Sequence, residues 1–377
     1  MRRFWTIGAA VLLVAGSALA QAISVPPNGD NQRATVTQYI GPVAVTIDYR
    51  SPDVHAPNGE DRRGKIWGAL VPYGLTDLGF GTCKQCPWRA GANENTTFKV
   101  SHDVNINGQK LPAGTYGLHF IADANEWTII FSNNSTSWGS FTYDPAEDAL
   151  RVKAKPAKSE YHEWLTYEFT DRKPDRATAA MKWEDLTLPW TITVSNVEDI
   201  YLAKIRNELR GQTGFNWQNW NAAAQYALTV KRTDDALEFA RIGVGGVLPF
   251  IGQENFQTLG ALADAQEAKG MAEAKATRDK ALNHPTATVT QLHQYARQQL
   301  QRGNKVEAVR VWQLNAKKNG TAWPVNVGLM RAYSAEGKFK DALKYAKLAL
   351  AQAPDEVNKK NLEDSIKKLE QNKDVNS

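Results

Sequence analysis

Residues 188–209 read LPWTITVSNVEDIYLAKIRNEL, and the spacing of the apolar residues changes within this stretch. Over 188–194 every second residue is apolar, which is typical of a strand with one buried face. From Val197 onward the period becomes helical, and Ala, Leu, Lys, Gln and Glu dominate the composition. The stretch therefore predicts a boundary between a β-domain and a helical domain.

The alternation with a period of two recurs upstream of this boundary. It occupies residues 43–50, 116–120, 127–131 and 165–169. Turn-forming pairs such as Asn107-Gly108 and Asp144-Pro145 separate the runs. Many short strands with regular turns predict an all-β antiparallel sandwich over residues 33–196.

A pattern of small residues repeats in the second half of the chain. Gly303 and Ala308 lie 34 residues before Gly337 and Ala342. This pattern resembles tetratricopeptide repeats over about 217–354, and the resemblance implies an all-α solenoid whose groove holds a protein partner. Stacked helix pairs bury one another's apolar stripes, which gives the repeat a physical reason. An irregular helical bundle is the alternative.

The helical domain is expected to span residues 197–371. Its last part, from residue 355, reads as a polar capping helix, and residues 372–377 read as a disordered tail.

The first twenty residues have the three parts of a secretory signal peptide. A basic start at Arg2 and Arg3 precedes an apolar run over 7–14, and small residues end the segment at Ala20. A membrane anchor is the alternative, but the apolar run is shorter than the ~20 residues that a spanning helix needs. We expect cleavage after Ala20, a linker over 21–32, and a periplasmic or secreted protein without a membrane span.

Composition excludes several classes of protein. The chain has 377 residues with 45 Lys and Arg against 40 Asp and Glu, a balance that does not suggest a nucleic-acid partner. Two cysteines are too few for a disulfide-rich scaffold. No G-x-S-x-G, phosphate-binding loop, H-E-x-x-H or dinucleotide-binding motif is present, so we expect neither a cofactor nor a metal.

Five motifs follow one another in the β-domain. They are RGKIWGALVPYG at 63–74, WRAGANE at 88–94, LPAGTY at 111–116, EWTII at 126–130 and WG at 138–139. Together they resemble a family of secreted bacterial domains known as domain of unknown function 2911, over about residues 34–194. The resemblance implies a secreted β-domain and implies no activity. Two insertions relative to that family, at 55–61 and 75–87, lengthen the same loop.

The second insertion carries both cysteines, Cys83 and Cys86, with the C-x-x-C spacing. A redox-active pair would usually open a helix, yet Pro87 follows at once. A metal site would need two further ligands. We predict a structural disulfide, with the redox pair and the metal site as alternatives.

The predicted ligand-binding residues cluster around this loop. They are Arg63, Trp67, Trp88, Arg89, Asn93, Glu94 and His119. Arginine, asparagine and carboxylate side chains hold an anionic or hydroxylated ligand by charge-assisted hydrogen bonds, and indole faces stack on an apolar or sugar face. The alternative is that the polar residues only pin the loop to the sandwich.

Two further interpretations concern single residues. His119 is read either as a half-exposed side chain on a sheet surface or as a neighbour of Arg89 and Glu94 in one pocket. The tryptophans in phase with apolar strand faces, Trp127, Trp183 and Trp190, are expected in the core. The candidate platform residues are the loop tryptophans Trp67, Trp88 and Trp138.

These features suggest an exported, non-enzymatic protein for binding and scaffolding. Its β-domain would recognise a small anionic or sugar ligand in the cell envelope, and its helical repeats would hold a protein partner. The alternative is an envelope enzyme that acts on a small anionic or glycan substrate through the 55–94 loop, with Glu94 or His119 as the acid or base.

Overall fold

The structure is a computed structural model that describes residues 31–376. The predicted signal peptide and nearly all of the predicted linker lie outside the described residues. The chain divides into two compact units, with the division after Val197.

The first unit consists of antiparallel strands. They are β1 (Gln32–Ile40), β2 (Val43–Ser51), β3 (Thr97–Val100), β4 (Val104–Ile106), β5 (Gln109–Leu111), β6 (Gly114–Ile121), β7 (Trp127–Ser132), β8 (Asp148–Ala154), β9 (Ala157–Thr170) and β10 (Arg176–Thr193). One sheet has the order β1-β2-β3-β6-β7-β8, and the other has the order β5-β4-β10-β9.

The two sheets bury the apolar face that each alternating run provides. In β2 every second residue, beginning with Val43, is buried. Tyr49 of β2 meets Tyr167 of β9 with ring centroids 4.8 Å apart, and Phe120 of β6 meets Trp190 of β10 at 6.0 Å. These contacts place the core between the sheets, as is usual for a β-sandwich.

The six-stranded sheet is covered on its other face as well. Every residue of β7 is buried, so side chains on both faces of this strand are shielded from solvent. Ile130 of β7 packs against Cys83, Cys86 and Tyr143, which belong to loops rather than to the opposing sheet. A layer of loop therefore lies on the outer face.

The second unit consists of helices that pack consecutively. They are α1 (Val197–Leu209), α2 (Trp217–Thr229), α3 (Thr233–Gly245), α4 (Phe256–Ala268), α5 (Ala274–Asn283), α6 (Val289–Gln301), α7 (Lys305–Asn319), α8 (Trp323–Ala335), α9 (Phe339–Ala351) and α10 (Glu356–Glu370). Contacts also join α2 to α4 and α6 to α8. The prediction of an antiparallel β-domain followed by an all-α stack is confirmed.

Small residues allow close packing between neighbouring helices. Ala308, Ala342 and Ala346 are fully buried in the helix contacts. Gly337 has a φ of +74° in the turn between α8 and α9, a conformation that glycine adopts without steric cost. The alanines that repeat in the sequence therefore form the helix contacts, and the repeated glycine forms the turn.

Residues beyond α10 contact the helical unit. The Ser334 hydroxyl donates a hydrogen bond to the Asp374 carboxylate at 2.7 Å, and the Asn376 amide donates to the carbonyl oxygen of Arg331 at 3.0 Å. Over the described residues, no helix has both the length and the apolar character required to cross a bilayer.

Candidate functional site

The segment between β2 and β3, residues 52–96, contains no regular strand, and it is held by isolated β-bridges. Asp53 pairs with Trp164 of β9, Thr76 pairs with Cys86 within the loop, and Trp88 pairs with Phe120 of β6. The Trp88–Phe120 bridge uses two backbone hydrogen bonds of 2.8 Å. Backbone pairing with both sheets therefore gives this long loop a defined position.

Cys83 and Cys86 form a disulfide, with Cα atoms 5.6 Å apart, as predicted. The bridge packs on Ile130 and Tyr143 at the outer face of the six-stranded sheet. The Cys83 amide also donates a 3.0 Å hydrogen bond to the carbonyl oxygen of Phe141. The inserted residues 75–87 therefore help to cover this face.

The structure corrects the interpretation of His119 as half-exposed. His119 is only 2% exposed, although it lies on the face of β6 opposite Phe120. Its Nδ1 lies 2.9 Å from the Ser140 hydroxyl, and its ring contacts Tyr143 edge-on. Burial, with a smaller contribution from the charge of Arg89, lowers the pKa of His119 to about 4. The alternation of β6 places His119 opposite Phe120, as predicted, but Ser140 and Tyr143, from the segment between β7 and β8, cover that face.

Arg89 is a largely buried cation without a carboxylate partner among residues 31–376. Its Nη1 donates a 2.7 Å hydrogen bond to the carbonyl oxygen of Asn93, and its guanidinium lies 4.8 Å from the ring centroid of Phe141. Burial lowers the pKa of Arg89. Gly139, with a φ of +61°, makes room for it, because a Cβ there would come within 2.5 Å of the guanidinium carbon.

Arg62 is a second cation with unused hydrogen-bonding capacity. Its Nε is buried and has no hydrogen-bond partner in the described part of the chain. Leaving such a donor unsatisfied costs free energy that an acceptor on a ligand would recover.

Tryptophan side chains of the β-domain form an aromatic cluster. Trp88 stacks on Trp183 with ring centroids 6.1 Å apart and an interplanar angle of 19°. Trp67 meets Trp183 edge-on at 5.6 Å and Trp127 at 5.1 Å. Trp127, Trp183 and Trp190 are at most 1% exposed, which confirms their predicted core positions. Trp138 is 58% exposed.

The loop encloses a cavity of about 350 Å³. Its polar wall includes Asp53, Arg62, Arg89 and Asn93, and its apolar wall includes Leu70, Val71, Leu78, Trp88 and Trp183. Asp53 forms no ion pair with either arginine within the described residues. A concave pocket that combines apolar walls with a few convergent polar groups is typical of a small-molecule site.

The structure brings together only some of the predicted site residues. Trp88, Arg89 and Asn93 line this cavity. Arg63 and Trp67 instead line a second cavity of about 350 Å³ with Gly64, Tyr161, Glu184 and Asp185. There the Arg63 side chain is exposed and donates a 2.8 Å hydrogen bond to Asp61.

Glu94 does not line the cavity, and it forms a bidentate ion pair with Arg50 of β2. The two hydrogen bonds measure 2.7 and 2.8 Å. Hydrogen bonding to Arg50 lowers the pKa of Glu94 to about 2. This ion pair attaches the loop to β2. For Glu94 the structure therefore agrees with the alternative in which the polar residues only hold the loop on the sandwich.

Sequence reasoning missed Asp53, Arg62 and Trp183 as cavity residues. Arg62 adjoins the predicted Arg63, but the sequence contains no signal that the first of the two side chains is the one at the cavity. Trp183 was expected in the core, and it fills the core while also forming part of the cavity wall.

Within residues 31–376, no group of three or more His, Cys, Asp and Glu side chains is placed to hold a metal ion. No curated protein matches the chain. Residues 31–192, which make up nearly all of the β-domain, match the model of the family described as protein of unknown function (DUF2911).

Proposed function

We propose that this protein is an exported binding and scaffolding protein whose β-domain holds a small organic anion. The observation that carries the proposal is that Arg62 and Arg89 line one cavity together with the indoles of Trp88 and Trp183, and neither arginine has a carboxylate partner among the described residues. A guanidinium group binds carboxylate and phosphate oxygens strongly through paired hydrogen bonds. The face of an indole ring stacks on an apolar or planar part of a ligand.

Export is supported by the signal-peptide pattern of residues 1–20 and by the disulfide between Cys83 and Cys86, which is a bond typical of oxidising compartments. The intact mass of the protein isolated from the envelope fraction should correspond to a chain beginning at Gln21. A mass that includes Met1 would contradict export with cleavage.

The cavity is expected to bind phenyl phosphate, whereas phenol, which lacks the anion, should bind at least tenfold more weakly. Arg62→Gln and Arg89→Gln should each weaken phenyl phosphate binding by roughly tenfold to a hundredfold, because each removes a charge-assisted hydrogen bond. Isothermal titration calorimetry on the full mature chain, wild type and variants, measures these four affinities.

Arg63→Gln is the matched control for this experiment, since Arg63 is the adjacent cation in the sequence and does not line the cavity. Equal weakening by Arg62→Gln and Arg63→Gln would show that general charge, rather than the cavity, attracts the anion. Equal affinities for phenol and phenyl phosphate would contradict the proposal directly.

The helical domain is proposed to hold an extended protein segment, in the manner of the tetratricopeptide repeats that its sequence resembles. A cavity of about 310 Å³ is formed by α2, α4, α5 and α6, and amide side chains dominate its polar wall: Asn221, Gln225, Gln257, Gln291, Gln294 and Gln298. Each primary amide both donates and accepts hydrogen bonds, so the set matches the alternating donors and acceptors of a peptide backbone. When the β-domain holds its anion and the helical domain holds a protein segment, one chain carries both. Each bound component is then present at a raised effective concentration near the other.

A photo-crosslinking residue at position 294, on this amide wall, should capture a defined protein in intact cells. The same residue at position 347, an exposed site on α9 outside the cavity, is the matched control. We expect the adduct from position 294 to be lost when Gln225 and Gln298 are both changed to alanine. Identical adducts from positions 294 and 347 would argue against a groove-specific partner.

The enzyme alternative receives no support from the geometry. It requires Arg89, Glu94 and His119 to meet in a solvent-open cleft, whereas Glu94 pairs with Arg50 and His119 is buried against Ser140. An acid or base must lie within hydrogen-bond reach of a bound substrate. Binding is therefore the function that we propose.

A further inference from the structure

The helical unit contains a second cavity, of about 350 Å³, between α6, α8 and α10. Its walls bring basic and aromatic side chains from three helices into one place. The basic residues among them are His293, Arg297, Arg331 and Lys368, and Trp323 is the largest aromatic one.

Neither arginine at this cavity, Arg297 or Arg331, forms an ion pair with a carboxylate of the described residues. The Arg331 side chain donates a 3.2 Å hydrogen bond to the neutral amide of Asn376. Asp364 also lines the cavity, but it pairs with Lys367 at 3.0 Å. The negative charge of Asp374 also acts on Arg331 and opposes the lowering of its pKa by burial.

Two buried N–H donors of the lining residues lack a hydrogen-bond partner within residues 31–376. They are Nε of Arg331 and Nε1 of Trp323. Buried donors are nearly always satisfied in folded proteins, so two beside one cavity indicate an absent acceptor. Burial, reinforced by the charges of Arg331 and Arg297, lowers the pKa of His293 to about 4. At neutral pH the histidine therefore adds no charge of its own, and the two arginines supply the attraction.

We propose that this cavity binds a small oxyanion, a phosphate or carboxylate group, held between Arg297 of α6 and Arg331 of α8. Guanidinium groups bind both oxyanions through paired hydrogen bonds. The site lies within the helical unit, and its occupancy does not depend on the ligand proposed for the β-domain.

The test is a titration of the full mature chain with inorganic phosphate and, separately, with succinate, at constant ionic strength. Nuclear magnetic resonance follows the indole N–H of Trp323, assigned with a Trp323→Phe variant, and the ring protons of His293. Saturable shifts of both signals are the expected result. Tighter binding of phosphate assigns the site to phosphoryl groups, and tighter binding of succinate assigns it to carboxylates.

Arg297→Gln and Arg331→Gln should each weaken binding at least tenfold. Arg302→Gln, which removes an exposed arginine just after α6 and outside the cavity, should leave the affinity unchanged. Hydrogen exchange would reveal whether Arg331→Gln disturbs the fold. Arg297 is exposed, so Arg297→Gln should leave the fold intact and tests the site independently. The proposal is overturned if neither anion gives saturable shifts, or if Arg302→Gln weakens binding as much as Arg297→Gln.

Discussion

Replacing Trp183 with alanine is expected to destabilise the β-domain by about 3–5 kcal/mol, the usual cost of truncating a large buried aromatic side chain. Trp183 is 1% exposed and contacts the rings of Trp67 and Trp88. Its removal leaves a void next to the existing cavity and deprives Trp88 of its stacking partner. Hydrogen exchange in the full chain measures the effect, because the amides of β9 and β10 should lose protection while those of α8 and α9 should not.

Trp183→Phe is the matched control for this truncation. It keeps an aromatic ring in the core and removes the indole nitrogen, which is buried without a hydrogen-bond partner in the described residues. The cost should therefore stay below about 1.5 kcal/mol. Unchanged exchange in β9 and β10 of Trp183→Ala would contradict the contribution of this residue to the aromatic cluster.

Lowering the pH from 7 to 4 should cost the β-domain about 3 kcal/mol through His119 alone. The pKa of His119 is lowered in the folded state from 6.5 to about 4, so the unfolded state binds more protons between these values. The stability that the neutral histidine provides is complete above pH 6.5 and is lost as the pH falls toward 4. Below pH 4 both states are protonated, and this contribution no longer changes.

The comparison with His119→Gln isolates this effect from that of the carboxylates. Glutamine does not titrate, so the difference in unfolding free energy between the wild type and the variant should shrink by about 3 kcal/mol from pH 7 to pH 4. Urea unfolding at several pH values measures it. A difference that is independent of pH, or a ring titration near pH 6.5 by nuclear magnetic resonance, would refute the burial of this histidine.

The candidate site was predictable only where the local sequence determines the position of a residue. Trp88, Arg89 and Asn93 lie within seven residues of one another, in a single motif, and they do line one cavity. Glu94 belongs to the same motif, yet its side chain turns to Arg50, which lies 44 residues earlier. Arg63 was preferred over Arg62 without a physical reason, and the structure assigns the cavity to Arg62.

The amino-acid sequence by itself determined the class of each domain and the boundary between them, because a period of two or of 3.6 is a property of residues adjacent along one strand or helix. It also determined that Trp127, Trp183 and Trp190 belong to the core and that the two cysteines are close enough to bond. Only the tertiary structure decided that Ser140 and Tyr143, between β7 and β8, pack against His119 and bury it, and that Arg62 and Trp183, 121 residues apart, share one cavity. Such contacts depend on how a long loop folds back over distant strands, and no spacing within the loop encodes the surface on which it comes to rest.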